Sequence, residues 1–242
     1  VKEIRAAGGD ALPDYEDIAR EEGGRNLIQR TVEQYGRVDV LINNAGILRD
    51  KSLAKMEAET WQAVLDVHVH GAYHVTRPAF EWMRRQGYGR VVMTTSGAGL
   101  YGNFGQTNYS AAKTALLGLM NSLKLEGARA NVLVNSIAPL AASRLTEDVM
   151  PEELFEKMKP EYVAPMVLFL ASSECRSTGR IFNCALGYFN RAAYLTGPGV
   201  QLGDSDNPPS VEQIAEHFDA IRNLEGAVEY GEANEALLRF LE

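Results

Sequence analysis

The sequence predicts an α/β fold in which helices cover both faces of a parallel, doubly wound sheet. Two observations support this prediction. Short, nearly continuous apolar segments recur along the chain, as expected for strands that are buried on both faces. Longer segments with helical periodicity separate them, which is typical of parallel sheets. The 242 residues are enough for one domain with a large core.

The first quarter of the chain predicts two helices and two strands. VKEIRAAGG has the pattern of a helix end, with Gly8 and Gly9 as its stop. ALPDYED is a short strand candidate, and a helix follows it to about Gln34. RVDVLI (37–42) is an apolar strand that ends in the turn NNAG (43–46).

The alternation of helices and strands continues to residue 186. The expected elements are a helix from Thr60 to about Arg85, the strand GRVVMTTS (89–96), a helix at about 108–127, the strand ANVLVNSIAP (130–139), the helix PEELFEKM (151–158), a helix at about 162–172 and the strand RIFNCAL (180–186). Pro151 suits the first position of its helix, because that position needs no N–H donor.

The character of the sequence changes after Gly187. GPG, GDSD and NPPS are loop-forming segments. Ser210 and Gln213 make a capping box for the helix VEQIAEHFDAIRNL, and EANEALLRFL predicts a further helix. We therefore expect a core at residues 1–187 and a helical C-terminal extension at residues 188–242.

Composition narrows the possible partners. The net charge of −8 and the pI near 5.2 argue against nucleic acid. The longest apolar run, VAPMVLFLA (163–171), is too short to span a bilayer, and no signal peptide precedes the first helix, so we expect no membrane partner. Two cysteines are too few for a disulfide framework, which predicts the cytoplasm. His68, His70 and His74 lack an accompanying carboxylate or cysteine cluster, so no metal site is expected.

Tyr109 and Lys113 are the first candidates for chemistry. They stand four residues apart near the start of the predicted helix 108–127, where side chains are neighbours. A cation beside a phenol should lower the tyrosine pKa from its ordinary value of about 10. Such a pair taken alone is more often a partly exposed aromatic beside a solvated lysine. Here, however, NNAG, TTSGAG and the segment after Pro139 all follow strands, where open parallel sheets bind ligands.

Ser96 ends its strand 13 residues before Tyr109. A hydroxyl there can hold a carbonyl or carbinol oxygen while the tyrosine transfers a proton. GAGLYG (97–102) satisfies G-x-G-x-x-G, but a dinucleotide fingerprint requires a helix that starts at the glycines, and ten loop residues are expected before the next helix. We therefore interpret these glycines as a flexible wall over a substrate.

With NNAG, Ser96, Tyr109 and Lys113 in this order and spacing, the chain resembles the short-chain dehydrogenase/reductase family from residue 1 to about residue 187. The resemblance implies a Rossmann-like sheet, a nicotinamide cofactor and hydride exchange with a carbonyl/alcohol pair. Tyr109 would be the general acid in reduction and the general base in oxidation. Lys113 would lower the tyrosine pKa and hydrogen-bond the nicotinamide ribose, and Ser96 would orient the substrate oxygen.

The resemblance also assigns residues to the cofactor. They are Asp17, Asn44, Ala45, Gly46, Tyr109, Lys113 and Ser143. Asn44, Ala45 and Gly46 would let the backbone approach the adenosine side of the cofactor. Asp17 would meet the adenine, with Glu16 as the alternative.

Longer runs such as NNAGILRD and GLYGNFGQTNYSAAK are similar to the (3R)-hydroxyacyl-CoA dehydrogenases of β-oxidation within this family. This similarity implies oxidation of a (3R)-hydroxyacyl-CoA by NAD. His68 stands where many members have a proton-relaying asparagine, and it could either continue a relay or be a packed or surface group. The family's first βαβ segment, with its glycine-rich turn, has no counterpart in the 242 residues. We therefore expect this chain alone not to turn over substrate, and NADP is not excluded.

Three other functions stay open at this point. Two are enzymatic, a 3-ketoacyl-carrier-protein reductase and a hydroxysteroid dehydrogenase. The third is a truncated, non-catalytic remnant that dimerises and binds partners. Family resemblance implies a homodimer through helices 60–85 and 108–127, with small residues at the contact. The residues expected at that contact are Ala112, Ala115, Leu119 and Ser122.

Overall fold

The computed structural model describes residues 1–142 and 151–240. It contains a five-stranded sheet with the strand order β1-β2-β3-β4-β5. The strands are β1 (Val40–Asn43), β2 (Gly89–Thr94), β3 (Val132–Pro139), β4 (Ile181–Ala185) and β5 (Tyr188–Ala192). Strands β1 to β4 run parallel, with Ile42 opposite Val92 and Ile137 opposite Phe182. The α/β fold with a parallel sheet is confirmed.

Helices separate the parallel strands along the chain. They are α1 (Lys2–Ala6), α2 (Glu21–Tyr35), α3 (Ala58–Leu65), α4 (Gly71–Gln86), α5 (Gly97–Tyr101), α6 (Thr107–Gly127), α7 (Glu152–Lys157) and α8 (Ala164–Ala171), followed by α9 (Val211–Glu216), α10 (Phe218–Ile221) and α11 (Ala233–Arg239). A single turn of π-helix, Asp66–His70, joins α3 to α4. The predicted helix 60–85 is therefore one helical run with a π turn inside it.

The core is centred on β2, all six residues of which are buried. On one face of the sheet, Val92 and Ile137 form a buried cluster with Leu170 of α8. Helix α6 contributes a buried stripe that includes Leu116, Leu117 and Met120. Because β2 and β3 are covered in this way, their carboxyl ends are held in fixed positions.

Strand β1 lies at the edge of the described sheet. Val40 and Ile42 are 40% and 37% exposed, although both are apolar. The prediction of a strand at ALPDYED is wrong, because residues 9–17 have no strand structure. A parallel strand needs a neighbour for its backbone hydrogen bonds, and no described strand pairs with this segment.

Two further segments differ from the sequence-based expectation. The residues after Ser96 form the short helix α5 where a flexible loop was expected. Strand β5 was not expected either; it follows β4 after Leu186 and Gly187, which have φ angles of 51° and 79°. Positive φ at both positions is the conformation of a two-residue hairpin turn, and a non-glycine first residue hides that signal.

The chain divides into two compact units, Val1–Arg191 and Ala192–Glu242. The second unit contains α9, α10 and α11, and none of its residues in the range 192–240 is buried. Ser210 and Gln213 form the predicted capping box, with both reciprocal hydrogen bonds present. A backbone pairing between Thr196 and Val228 closes the segment that contains α9 and α10.

Candidate active site

A cavity of about 590 Å³ opens at the carboxyl ends of β1, β2 and β3. Five of the predicted site residues line it together. They are Asn44, Gly46, His68, Tyr109 and Lys113. Thr94 and Thr95 at the end of β2 line it as well, and apolar side chains that include Leu48, Val163 and Leu168 form much of its wall. The sheet therefore gathers these residues as the sequence predicts.

Lys113 is buried, and its ammonium group has a specific partner. Its Nζ donates a hydrogen bond to the Thr94 carbonyl oxygen at 2.7 Å and lies 5.5 Å from the centre of the Tyr109 ring. Thr95 Oγ1 donates to the Lys113 carbonyl oxygen at 2.8 Å, which ties the helix backbone to the end of β2. Burial lowers the pKa of Lys113 to about 8.

Tyr109 does not have the lowered pKa that its lysine neighbour predicts. Burial raises the pKa of Tyr109, a hydrogen bond with Ser96 lowers it, and the charge of Asp50 raises it again. Burial outweighs the stabilisation of the phenolate, and the ammonium group of Lys113 is directed at Thr94. The predicted lowering of the Tyr109 pKa is therefore wrong for the protein without a bound ligand.

Ser96 has two roles in the structure. Its Oγ accepts a hydrogen bond from the Ala98 backbone N–H at 3.2 Å and so caps α5. The same hydroxyl also lowers the pKa of the nearby Tyr109. Ser96 is not among the residues that line the cavity, although Thr95 beside it is. Its influence on the cavity therefore acts through Tyr109.

His68 lies in the π turn and faces Tyr109 edge-on, with 5.3 Å between the ring centres. Its Nε2 lies 3.0 Å from the Ile47 nitrogen and 2.9 Å from the Ile47 oxygen, so the tautomer decides whether it accepts or donates. Nδ1 is buried and has no hydrogen-bond partner among the described residues. Burial, followed by the charge of Lys113, lowers the pKa of His68 to about 4. The ring is therefore neutral near pH 7.

Gly46 is the residue that makes room for the His68 ring. A Cβ at Gly46 would lie 2.4 Å from His68 Cε1, so the two carbon atoms would clash. Only a residue without a side chain at position 46 leaves space for the His68 ring. The sequence gives no sign of this contact, because 22 residues separate the two positions.

The start of α6 is anchored by two buried amides that are not among the predicted site residues. Asn108 Nδ2 donates to the carbonyl oxygens of Arg49 at 3.0 Å and Thr60 at 3.4 Å, and its Oδ1 accepts from the Tyr109 backbone N–H at 2.8 Å. Gln106 Nε2 donates to Asp50 Oδ2 at 2.7 Å. These bonds hold Tyr109 against the loop that follows β1. Their partners are remote in sequence, so no local pattern could have revealed them.

The residues predicted to contact the cofactor are divided between two spaces. Asn44 lines both the main cavity and a neighbouring recess of about 180 Å³, and Ala45 lines only the recess. Asp17 lines neither space, whereas Ile18 next to it lines the recess. Asp17 Oδ1 accepts a hydrogen bond from the Ala19 backbone N–H at 3.0 Å. Ser143 lies outside the described residues.

Groups of metal ligands and membrane-spanning helices are both absent from residues 1–142 and 151–240. Across residues 1–142 and 151–240, no three His, Cys, Asp or Glu side chains form a group that could hold a metal ion. The rings of His70 and His74 stack at 6.2 Å, while His68 is bound to Ile47. None of the described helices combines the length and hydropathy that a membrane span requires.

Comparison with known proteins places this geometry in a family. A short-chain type dehydrogenase/reductase of Mycobacterium tuberculosis is 46% identical over 227 residues, which cover 94% of this chain and 78% of that protein. Peroxisomal multifunctional enzyme type 2 of Drosophila melanogaster is 43% identical over 246 residues, which cover 100% of this chain and 41% of the fly enzyme. The chain therefore spans less than half of that relative.

Structural and family comparisons agree with these relatives. The solved structure of the full-length fly enzyme superposes with a TM-score of 0.86 at 38% identity, covering 100% of this chain and 42% of the other. The sequence model of the family described as short chain dehydrogenase matches residues 1–153. The chain belongs to the short-chain dehydrogenase/reductase family of oxidoreductases, close to the dehydrogenase part of the multifunctional enzyme type 2 group.

Proposed function

We propose that this protein oxidises (3R)-3-hydroxyacyl-CoA to 3-ketoacyl-CoA with NAD as the hydride acceptor. The observation that carries the proposal is the side-chain cluster of Ser96, Tyr109 and Lys113. Tyr109 and Lys113 line the 590 Å³ cavity, and Ser96, next to the cavity-lining Thr95, lowers the pKa of Tyr109. A remnant without catalysis would not need a buried lysine directed into such a cluster, because burying an ammonium group costs stability.

The proposed chemistry needs one proton acceptor and one hydride acceptor. The Tyr109 phenolate takes the proton of the substrate's 3-hydroxyl, and Ser96 stabilises the tyrosine oxygen as its charge changes. NAD, when bound, accepts the hydride from the carbon that carries the hydroxyl. In the reverse direction, Tyr109 returns the proton to the carbonyl oxygen. Lys113, held by Thr94, keeps a positive charge below the tyrosine.

The residues around the cavity fit a nicotinamide dinucleotide. Lys113 lines the cavity, where its ammonium group could donate a hydrogen bond to a ribose hydroxyl. Asn44 lines both the cavity and the recess, Gly46 lines the cavity and Ala45 lines the recess, so an extended dinucleotide could contact all three. The buried Nδ1 of His68 lacks a partner among the described residues, and a water or ligand group could satisfy it. Asp17 or Glu16, together with Ser143, complete the proposed contacts.

An acyl substrate suits the apolar part of the same cavity. Leu48, Val163, Val167 and Leu168 give it an apolar wall opposite the polar cluster. A hydrocarbon chain gains free energy from leaving water for such a surface, at about 25 cal/mol per Å². The (3R) stereochemistry and the CoA carrier rest on the similarity of NNAGILRD and GLYGNFGQTNYSAAK to the β-oxidation group.

Homodimer formation belongs to the same proposal. The outer face of α6 exposes Ala115 and Ser122, which would allow close helix approach in a dimer. Ala112 was wrongly included in that face, because it is fully buried within the chain. The cytoplasmic compartment stays a prediction, and the fly relative is named as a peroxisomal protein.

The substrate assay is performed on the natural protein that carries this sequence, with either NAD or NADP. We expect it to oxidise (3R)-3-hydroxyacyl-CoA and to leave the (3S) epimer unchanged, with NAD preferred. Equal rates with both epimers would contradict the proposed stereochemistry. Activity only on carrier-protein thioesters would favour the reductase, and activity only on steroids would favour the hydroxysteroid dehydrogenase. A protein that binds no nicotinamide cofactor would favour the non-catalytic function.

A further inference from the structure

Helix α5 packs directly against the turn of α6 that carries Lys113, and Gly99 is the point of contact. A Cβ at Gly99 would lie 2.8 Å from Lys113 Cβ, 3.1 Å from the Lys113 carbonyl carbon and 3.1 Å from Thr95 Oγ1. The first two atoms belong to or adjoin the backbone of a buried helix, so they cannot rotate away. Any side chain at residue 99 would therefore push α5 and α6 apart.

Hydrogen bonds on both sides of this contact connect it to the reacting groups. The Ser96 carbonyl oxygen accepts from the Gly99 backbone N–H at 2.9 Å, and the Gly99 carbonyl oxygen accepts from Thr114 Oγ1 at 2.6 Å. Thr95 Oγ1 donates to the Lys113 carbonyl oxygen. A displacement at Gly99 would thus be transmitted to Ser96 through α5 and to Lys113 through α6.

The same short helix determines the direction of the Ser96 hydroxyl. A serine hydroxyl has one proton to donate and lone pairs to accept with. Because Ser96 Oγ accepts from the Ala98 N–H as the cap of α5, its proton is left to donate away from α5, towards Tyr109 or a substrate oxygen. The position of α5 therefore decides whether Ser96 can act as a donor.

We propose that Gly99 is a positioning residue for the active site, because its lack of a side chain sets the distance between α5 and α6 and so the positions of Ser96 and Lys113 beside Tyr109. The expected effect on the rate rests on the proposed function. The expected effect on the Tyr109 pKa does not. In this proposal, Gly99 of GAGLYG allows two helices to pack closely. The glycines of this segment are neither a dinucleotide fingerprint nor a flexible wall over the substrate.

The chain offers a matched control in the same helix. Gly97 is the first residue of α5, and a Cβ built there meets no atom within 4 Å. Its φ angle is not positive, so alanine fits without strain. Gly99→Ala and Gly97→Ala therefore make the same chemical change two residues apart, and only the first one meets α6.

The test compares both variants with the wild type. In the natural protein, Gly99→Ala should lower kcat by about 10²-fold with KM changed less than about threefold, since a displacement of about 1 Å costs that much. Gly97→Ala should stay within about twofold of the wild type. In the same protein, carbon-13 tyrosine NMR, with the signal assigned by Tyr109→Phe, should show a higher Tyr109 pKa in Gly99→Ala than in Gly97→Ala.

The other possible results also either support or contradict the inference. Equal kcat values and equal Tyr109 pKa values in the two variants would overturn it. If Gly99→Ala does not fold, Thr114→Val removes the hydroxyl that holds the Gly99 carbonyl, at an exposed position where folding is safe. A severalfold lower kcat or a raised Tyr109 pKa in that variant supports the inference, and no change in either overturns it. A wild type without turnover contradicts the proposed function, and the NMR comparison still tests Gly99.

Discussion

The end of β2 and the end of β1 border the same cavity but are built differently. At the end of β2, the polar groups are buried and satisfied by the chain itself, as the bonds of Thr94 and Thr95 to Lys113 show. At the end of β1, Asn44 and Ala45 are exposed, and Ile42 before them is an apolar residue on an open edge. The groups around Lys113 are therefore preorganised, whereas the surface beside them is available to a ligand.

This difference predicts two kinds of mutational effect. Changes in the buried region alter stability and rate together, because each polar group there has lost its water and depends on its partner. Changes in the exposed region alter cofactor affinity with little effect on the fold. The two predictions that follow test this contrast, beginning with the larger effect.

His68→Gln should remove an acid-dependent loss of stability. The pKa of His68 is about 4 in the folded protein, below its ordinary 6.5, so the unfolded state binds more protons between these values. The free energy of unfolding of the wild type should therefore fall by roughly 3 kcal/mol more than that of His68→Gln as the pH falls from 6.5 to 4. Urea unfolding at the two pH values measures the difference.

His70→Gln is the matched control, because His70 is an exposed histidine of the same π turn. It should show the wild-type pH dependence. An acid dependence that is the same in His68→Gln and in the wild type would show that His68 is not held neutral by burial. A proton-relay role would then regain support, since a relay requires a group that gains and loses its proton readily.

Asp17→Ala should have a smaller effect, confined to the cofactor. Asp17 is exposed, and one hydrogen bond to the adenine contributes about 0.5–1.5 kcal/mol, so NAD affinity should fall by roughly 3–10-fold. The kcat value at saturating NAD should not change. Calorimetry of NAD binding to Glu16→Ala shows which of the two acidic residues contacts the adenine. If only Glu16→Ala weakens NAD binding, the assignment of Asp17 is wrong.

The sequence predicted that Tyr109 and Lys113 lie close together, because a spacing of four residues is a local pattern on one helix face, and the Lys113 ammonium lies 5.5 Å from the Tyr109 ring. The same holds for the parallel strands, whose continuous apolar runs allow few other arrangements. The capping box at Ser210 is equally local, and its two hydrogen bonds are present. Such features depend on neighbours within a few residues, so they can be read from the chain.

What the sequence could not predict depends on contacts between remote segments. The raised pKa of Tyr109 comes from burial, which a tyrosine four residues before a lysine does not reveal. The fit of His68 against Gly46 and that of Gly99 against Lys113 each require the folded distance. The strand predicted at ALPDYED failed for the same reason, since strand pairing is a property of two segments.

The central claim is that Tyr109 transfers the proton, and its pH dependence tests this most directly. In the natural protein, kcat for oxidation of (3R)-3-hydroxyacyl-CoA should rise about tenfold per pH unit below the Tyr109 pKa, because only the phenolate accepts a proton. Burial places that pKa above its ordinary value, so the rise should continue into the alkaline range. Tyr109→Phe should lower kcat about 10³-fold and abolish the rise. A phenylalanine variant that keeps the wild-type pH profile and a rate within tenfold of the wild type would contradict the account.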